Sequence, residues 1–200
     1  MTGLRQLQRQ RVHDAISAAA IALFLERGFD QVPVTEIAAA AGVSKPTLFK
    51  YFPAKEDLVV HRIADHQGEA ARVVRERAAG ESPLEALRRH FLDGLARHDP
   101  VTGLNAHPEV VAYHRMVFGT PSLAARVFQY MSRDEEALAE ALAETTDDLT
   151  ASLLAGQVLA TQRVLAHRNW LPLAEGRPLA EVEPEAVRAA EHAFAMLARP

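Results

Sequence analysis

Residues 34–58 read VTEIAAAAGVSKPTLFKYFPAKEDL, and two short helices are legible in them. Val34, Ile37, Ala38 and Ala41 recur at helical spacing, so one side of the first helix is apolar. Gly42 ends it, because a sharp turn after a helix needs a residue that accepts a positive φ. Ser44 can cap the second helix through its hydroxyl, and Pro46 falls in its first turn, where a missing N–H costs little. Leu48 and Phe52 then face back towards Ile37 and Ala41, and the small Ala38 lets the two helices cross closely. The pattern is a helix-turn-helix, whose second helix enters the DNA major groove. Two short helices around a glycine also occur in proteins with no nucleic-acid role, and the residues after the turn separate the readings. Tyr51-Phe52-Pro53 closes the second helix. Lys55 opens the next at its positive end, where a cation opposes the helix dipole and a bound phosphate would account for it.

Working outward, a helix over 7–27 carries Val12, Ile16, Ala19, Leu23 and Phe24 on its buried stripe and stops at Gly28-Phe29. Arg5, Arg9 and Arg11 precede or open it and suit either a basic arm along the DNA backbone or a solvated helix end. Downstream, a long helix over 55–79 leaves the first unit, and Gly80-Glu81-Ser82-Pro83 breaks it. Ser82 with Glu85 forms a capping box for the next helix, whose Leu84, Leu87, Phe91 and Leu95 share a face. Helices over 108–118 and 122–144 follow a loop-like stretch. Thr146 offers a hydroxyl cap, and Asp147 and Asp148 favourable charge, to a helix over 148–168. Residues 169–181, with Pro172, Gly176 and Pro178, read as a loop, and Pro184 opens the last helix. No stretch alternates with period two, so the chain reads as all-α. A three-helix helix-turn-helix domain over 1–54 precedes a helical bundle over 55–200.

Composition narrows the function classes. The chain has 200 residues and no cysteine, which removes disulfides, thiolate metal sites and cysteine nucleophiles together. No apolar run approaches the ~20 residues of a membrane span, and Met1 to Val12 lacks the apolar core of a signal peptide. A cytoplasmic protein with no membrane partner is the simplest reading. Of the 22 Lys and Arg and 26 Asp and Glu, residues 1–62 hold eight basic against six acidic side chains. The net negative charge therefore lies in the remainder, and the N-terminal unit is the one that can approach phosphates.

The N-terminal third resembles the tetracycline-repressor (TetR) family of bacterial regulators over residues 9–63. The residues that carry the resemblance are Glu26-Arg27-Gly28-Phe29, Glu36-Ile37-Ala38, Ala41-Gly42-Val43-Ser44, Thr47-Leu48-Phe49, Tyr51-Phe52 and Lys55-Glu56-Asp57-Leu58. One departure is that Val32-Pro33 stands where the family has a Thr or Ser cap that also contacts phosphate. The resemblance implies a homodimer that binds a near-palindromic double-stranded DNA operator, probed by one recognition helix per subunit, and that a small-molecule effector releases. It implies further that Lys45 and Thr47 reach base edges or nearby phosphates and that Tyr51 reaches a phosphate. Phe49 replaces a usual tyrosine and keeps apolar contact without the phenolic hydroxyl. Ser44, Pro46, Lys50, Lys55 and, on the preceding helix, Thr35 complete the candidate DNA-binding set, with an ordinary polar surface as the alternative for each.

The helix over 148–168 is apolar on more than one face, and such a helix must be covered on both sides. In the resembling family the last two helices pair across a two-fold, which makes Leu154, Gly156, Val158, Leu165, Val187 and Phe194 the expected dimer interface. The family also implies an apolar effector cavity, with Phe91, Met116, Phe118, Phe128, Met131 and Trp170 as candidate walls; plain core is the alternative. The rival reading is a helical metal-dependent enzyme carrying an incidental helix-turn-helix. His61, Asp65 and His66 are its best ligands, yet no HExxH motif, GxSxG elbow or phosphate-cradling glycine loop accompanies them. No catalytic residue, metal or cofactor is assigned.

Overall fold

A computed structural model of the chain describes residues 2–64 and 66–198; the side chains of residues 2, 4, 5, 63 and 64, Arg5 among them, lie outside the described set. All regular secondary structure among the described residues is helical, with no strand. The helices are α1 (Thr2–Arg27), α2 (Val34–Ala40), α3 (Lys45–Tyr51), α4 (Asp57–Ala64), α5 (Glu69–Arg75), α6 (Pro83–Ala96), α7 (Pro108–Gly119), α8 (Pro121–Ala143), α9 (Asp148–Ala174) and α10 (Leu179–Leu197), with a 3-10 turn at Pro100–Thr102. No helix among them is long and apolar enough to cross a membrane.

The chain forms two compact units. One comprises Met1–Asp65 with Ala112–Val127, the other His66–Val111 with Phe128–Pro200. In the first, Ile16, Ala20 and Phe24 of α1 pack with Phe29, Ile37, Leu48, Phe52 and Leu58, all of them buried. Tyr113 on α7 donates its hydroxyl to the Val59 carbonyl at 2.8 Å, and Arg126 on α8 binds Asp57. In the second unit, Leu87, Phe91 and Leu95 of α6 meet Val158 and Leu165 of α9 and Ala190 and Phe194 of α10 in one apolar core. Asn169, buried there, donates to the Thr102 carbonyl at 2.9 Å and pins the 3-10 turn. Gly103 follows with φ 72°, and a Cβ at that position would fall 1.9 Å from the Ala166 carbonyl oxygen. Only glycine fits.

Local signals place most helix ends. Ser82 and Glu85 form the expected reciprocal capping box on α6. The cap of α9 is Asp147, one residue beyond the expected Thr146; its carboxylate accepts the N–H of Thr150 at 3.0 Å. The helix expected over 55–79 is two helices. Between α4 and α5 the chain turns at Gly68, φ 72°, whose N–H donates to the Asp134 carboxylate at 2.8 Å. α9 continues through Pro172 to Ala174, and α10 begins at Leu179, before Pro184. Each proline forfeits one helical hydrogen bond. Burial of Leu173 on one helix and of Val182 and Ala186 on the other offsets the loss.

Candidate nucleic-acid interface

The turn between α2 and α3 is closed by two backbone bonds. Val43 N–H donates to the Ala38 carbonyl at 2.9 Å and Gly42 N–H to Ala39 at 3.1 Å, with Gly42 at φ 67°. This is a Schellman ending, and it directs the chain straight into the next helix. Ser44 then caps α3: its Oγ accepts the Thr47 N–H at 3.2 Å and shares a 2.8 Å hydrogen bond with the Thr47 hydroxyl. Pro33 caps α2 without a side-chain bond, as the missing hydroxyl requires.

The inner side of α3 is fixed by Leu48, fully buried, which leaves Lys45, Pro46, Phe49 and Lys50 exposed on the outer side. Lys45 Nζ lies 6.0 Å from the centroid of the Phe49 ring, one turn on, so a cation and an aromatic face share the surface offered outward. Thr47 is half-buried at the edge of that surface, and Thr35 on α2 is exposed. Tyr51, half-buried in the last turn, lies beneath the Arg9 guanidinium, 6.0 Å from its ring centroid. The structure thus brings the α3 candidates onto one surface and engages Ser44 in the cap.

Lys55 differs from expectation. Its Nζ donates to the Phe29 carbonyl at 2.6 Å and lies 4.5 Å from the Phe29 ring centroid and 5.6 Å from that of Phe24. A buried carbonyl and two aromatic faces account for a cation at this position, so no phosphate is required to explain it. The charge that opposes nothing lies elsewhere: Asp57, in the first turn of α4, is the favourable acid at that helix end.

Sequence reasoning missed two features. Arg9 and Tyr51 were each singled out, but not the cleft that Gln6, Gln10 and His13 line with them; the i, i+3, i+4, i+7 spacing of residues 6, 9, 10 and 13 was a readable signal of one polar helix face. The Asp57–Arg126 pair, 69 residues apart, carried no sequence signal.

The other candidate sets are redistributed. Val158, Leu165 and Phe194 are at most 4 % exposed within their own chain and have no surface left to give a partner. Leu154 and Val187 pack against that same core. Gly156 answers to its own chain too, since a Cβ there would meet Glu135 Oε1 at 3.2 Å. Phe91 is core, its ring 6.0 Å from that of Phe194. Phe118 and Phe128 are 49 % and 63 % exposed, too open to wall an enclosed cavity. Met116, Met131 and Trp170 are half-buried, Met116 in the first unit and the other two in the second. Of the rival metal set, Asp65 lies outside the described residues, and no group of three His, Asp or Glu side chains among the described residues could hold a metal ion.

An outward cationic helix, held from behind on a Schellman-turned partner in an all-helical fold, defines a helix-turn-helix DNA-binding protein. The sequence profile of the bacterial regulatory proteins of the tetR family matches residues 16–61. The chain is 30% identical over 178 residues to the HTH-type transcriptional regulator TcmR of Streptomyces glaucescens, covering 84% of this chain and 76% of that protein. It is 29% identical over 135 residues to the HTH-type transcriptional repressor LfrR of Mycolicibacterium smegmatis, covering 67% of this chain and 65% of that one. The crystal structure of a TetR-family regulator from Streptomyces coelicolor shares the fold, with a TM-score of 0.61 at 24% identity over 95% of this chain and 96% of that one. The chain belongs to the tetR family of bacterial regulatory proteins and is a DNA-binding transcriptional regulator.

Proposed function

We propose that this regulator is a homodimeric repressor that binds a near-palindromic operator through α3 and leaves it when a small molecule binds the second unit. The observation that carries the DNA reading is the outer surface of α3, where Lys45, Pro46, Phe49 and Lys50 are exposed while Leu48 anchors the helix from behind. In this division of labour residues 1–54 meet DNA, and residues 55–200 pair the subunits and sense the effector.

The dimer reading is supported by α9. Its buried residues Ala151, Ala155, Val158, Leu165 and Asn169 fall on one side, and Leu153, Val164 and Leu171, 57 %, 56 % and 42 % exposed, fall on the opposite one. An apolar stripe in water on a helix already covered from behind needs a second cover, and a second copy supplies it by two-fold symmetry. Two recognition helices must then reach grooves about one helical turn, roughly 34–36 Å, apart or a multiple of that. An effector acts only through its different affinity for the DNA-competent and incompetent arrangements.

The test is selection of duplexes from a random-sequence pool by the purified protein. Enrichment of an inverted repeat with half-sites about 10 base pairs apart, or a multiple, is the expected result. Binding that stays indifferent to sequence through successive rounds overturns it.

A further inference from the structure

We infer that α6 is fastened on both flanks by proton-operated clasps, His90 to Glu69 on α5 and His98 to Glu183 on α10, so that the second unit is held more tightly in mild acid than above neutral pH. All four residues belong to that unit, and the clasps act within one chain, without DNA or an effector. Each pair is half-buried: His90 Nε2 lies 3.3 Å from Glu69 Oε1, and His98 Nε2 lies 3.1 Å from Glu183 Oε1. An imidazole so placed is a neutral hydrogen-bond partner with one ring proton and half of an ion pair with two.

The backbone at His98 shows that its ring matters. Past the last turn of α6, Asp99 N–H donates to the Gly94 carbonyl at 2.9 Å and His98 N–H to the Leu95 carbonyl at 3.0 Å. This Schellman ending holds His98 at φ 51°, and it is the one non-glycine residue with positive φ among the described residues. Glycine meets that geometry without strain, so a side chain is kept there at a cost. What the ring adds, and glycine could not, is the contact with Glu183. A helix C-terminus also favours a cation, so the α6 carbonyls and Glu183 attract the protonated ring together.

On the other flank Glu69 is shared. Its Oε2 lies 2.8 Å from His66 Nδ1, and Arg72 approaches its Oε1 at 3.9 Å. Burial pushes the Glu69 carboxyl up, but His66, His90 and Arg72 outweigh it and leave the group below the usual glutamate range. It therefore stays ionised while histidines titrate. From α8, Asp134 faces the same turn and accepts the Gly68 N–H at 2.8 Å. On α6 itself, Asp93 pairs with Arg89 at 4.0 Å. Around His98, Asp99 accepts the Val101 N–H at 3.1 Å, Arg97 is exposed, and Glu181 and Glu185 of α10 are engaged by Arg177.

Double-mutant cycles by urea unfolding of the full chain, at one protein concentration and at about pH 5.5 and 8.5, test both clasps. One cycle combines His90→Gln with Glu69→Gln, the other His98→Asn with Glu183→Gln; asparagine tolerates the left-handed backbone. Each cycle cancels what a single substitution loses elsewhere, such as the His66 contact of Glu69. In acid each pair is expected to be coupled about two- to fivefold in the unfolding constant, and at the alkaline value the coupling should fall to near unity. His98→Gly separates strain from clasp: it should be more stable than the wild type at the alkaline value, with the advantage shrinking in acid. Equal coupling at both pH values overturns the inference, since a neutral hydrogen bond would then suffice. So does the absence of coupling in either pair in acid, or a glycine variant no more stable than the wild type at the alkaline value.

Discussion

Arg126 places both Nε and Nη2 2.8 Å from the same carboxylate oxygen of Asp57, a residue only 5 % exposed. The other oxygen accepts the Ala54 N–H at 3.0 Å. A single carboxylate thus closes the turn before α4 and ties that helix to the start of α8. Removing the cation leaves a buried charge half-satisfied, so Arg126→Leu should destabilise the protein by about 1–3 kcal/mol, the lower part of the range reflecting a guanidinium that is one-third exposed. Urea unfolding measures it; coincident curves for variant and wild type would show that the pair contributes nothing.

Lys55 tests whether a cation beside the DNA-facing surface serves DNA or the fold. Lys55→Ala loses the bond to the Phe29 carbonyl and the aromatic contacts, and should cost about 1–2 kcal/mol of stability. Its salt slope for duplex binding should equal that of the wild type. A slope lower by about one unit with stability intact would return Lys55 to the DNA backbone.

Thr47 shares its hydroxyl with the Ser44 cap, so its two substitutions separate base reading from helix capping. Thr47→Ala should relax preference at one base pair of each half-site, by about 1–3 kcal/mol there. Thr47→Val keeps the shape and a methyl and should fall between Ala and wild type. The measurement is affinity across an operator library at fixed salt. A uniform loss over all sequences would mean that Thr47 only positions the helix.

The two faces of α9 predict opposite phenotypes. Leu153→Lys or Val164→Lys, on the exposed stripe, should give a folded monomer in sedimentation velocity with weakened operator binding. Val158→Ala, in the core, should cost about 2 kcal/mol and leave the sedimenting mass unchanged. A dimer that survives both lysines would move the seam off α9.

Burial pushes the Asp134 carboxyl above the usual aspartate range, and the Gly68 N–H offsets this only in part. The folded chain therefore binds a proton there more readily than the unfolded one. Stability from this group is highest below the ordinary aspartate value, falls as pH rises through the raised one, and is least favourable at neutral pH. Asp134→Asn keeps an acceptor for Gly68 without the charge, so it should raise the thermal midpoint at neutral pH and lose that advantage near about pH 3. A lower midpoint at neutral pH would show that the ionised carboxylate is needed.

What was legible in the sequence was local chemistry. Gly42, Ser44 and Pro46 act on their immediate neighbours, and the Ser82–Glu85 box spans three residues, so pattern alone located them. The features that were not legible depend on distant partners. The break after α4 is fixed by Asp134, 66 residues from Gly68, and helices continue through Pro172 and Pro184 because buried neighbours outweigh one lost hydrogen bond. On α9 the sequence showed that two faces were apolar and could not show which of them the chain's own α6 and α10 would cover. The bond that Lys55 makes was not legible because the Phe29 carbonyl that receives it is 26 residues away.

The first unit is assembled from two stretches of chain, and this bears on how the protein can be taken apart. An expressed fragment ending after α4 would carry Asp57 without Arg126 and the Val59 carbonyl without the Tyr113 hydroxyl. It would also lack Val117 and Leu123, both fully buried in the intact chain. Exchanging DNA specificity between relatives by grafting an N-terminal head would mismatch these seams, so a working chimera must transplant residues 112–127 along with the head or match them to it.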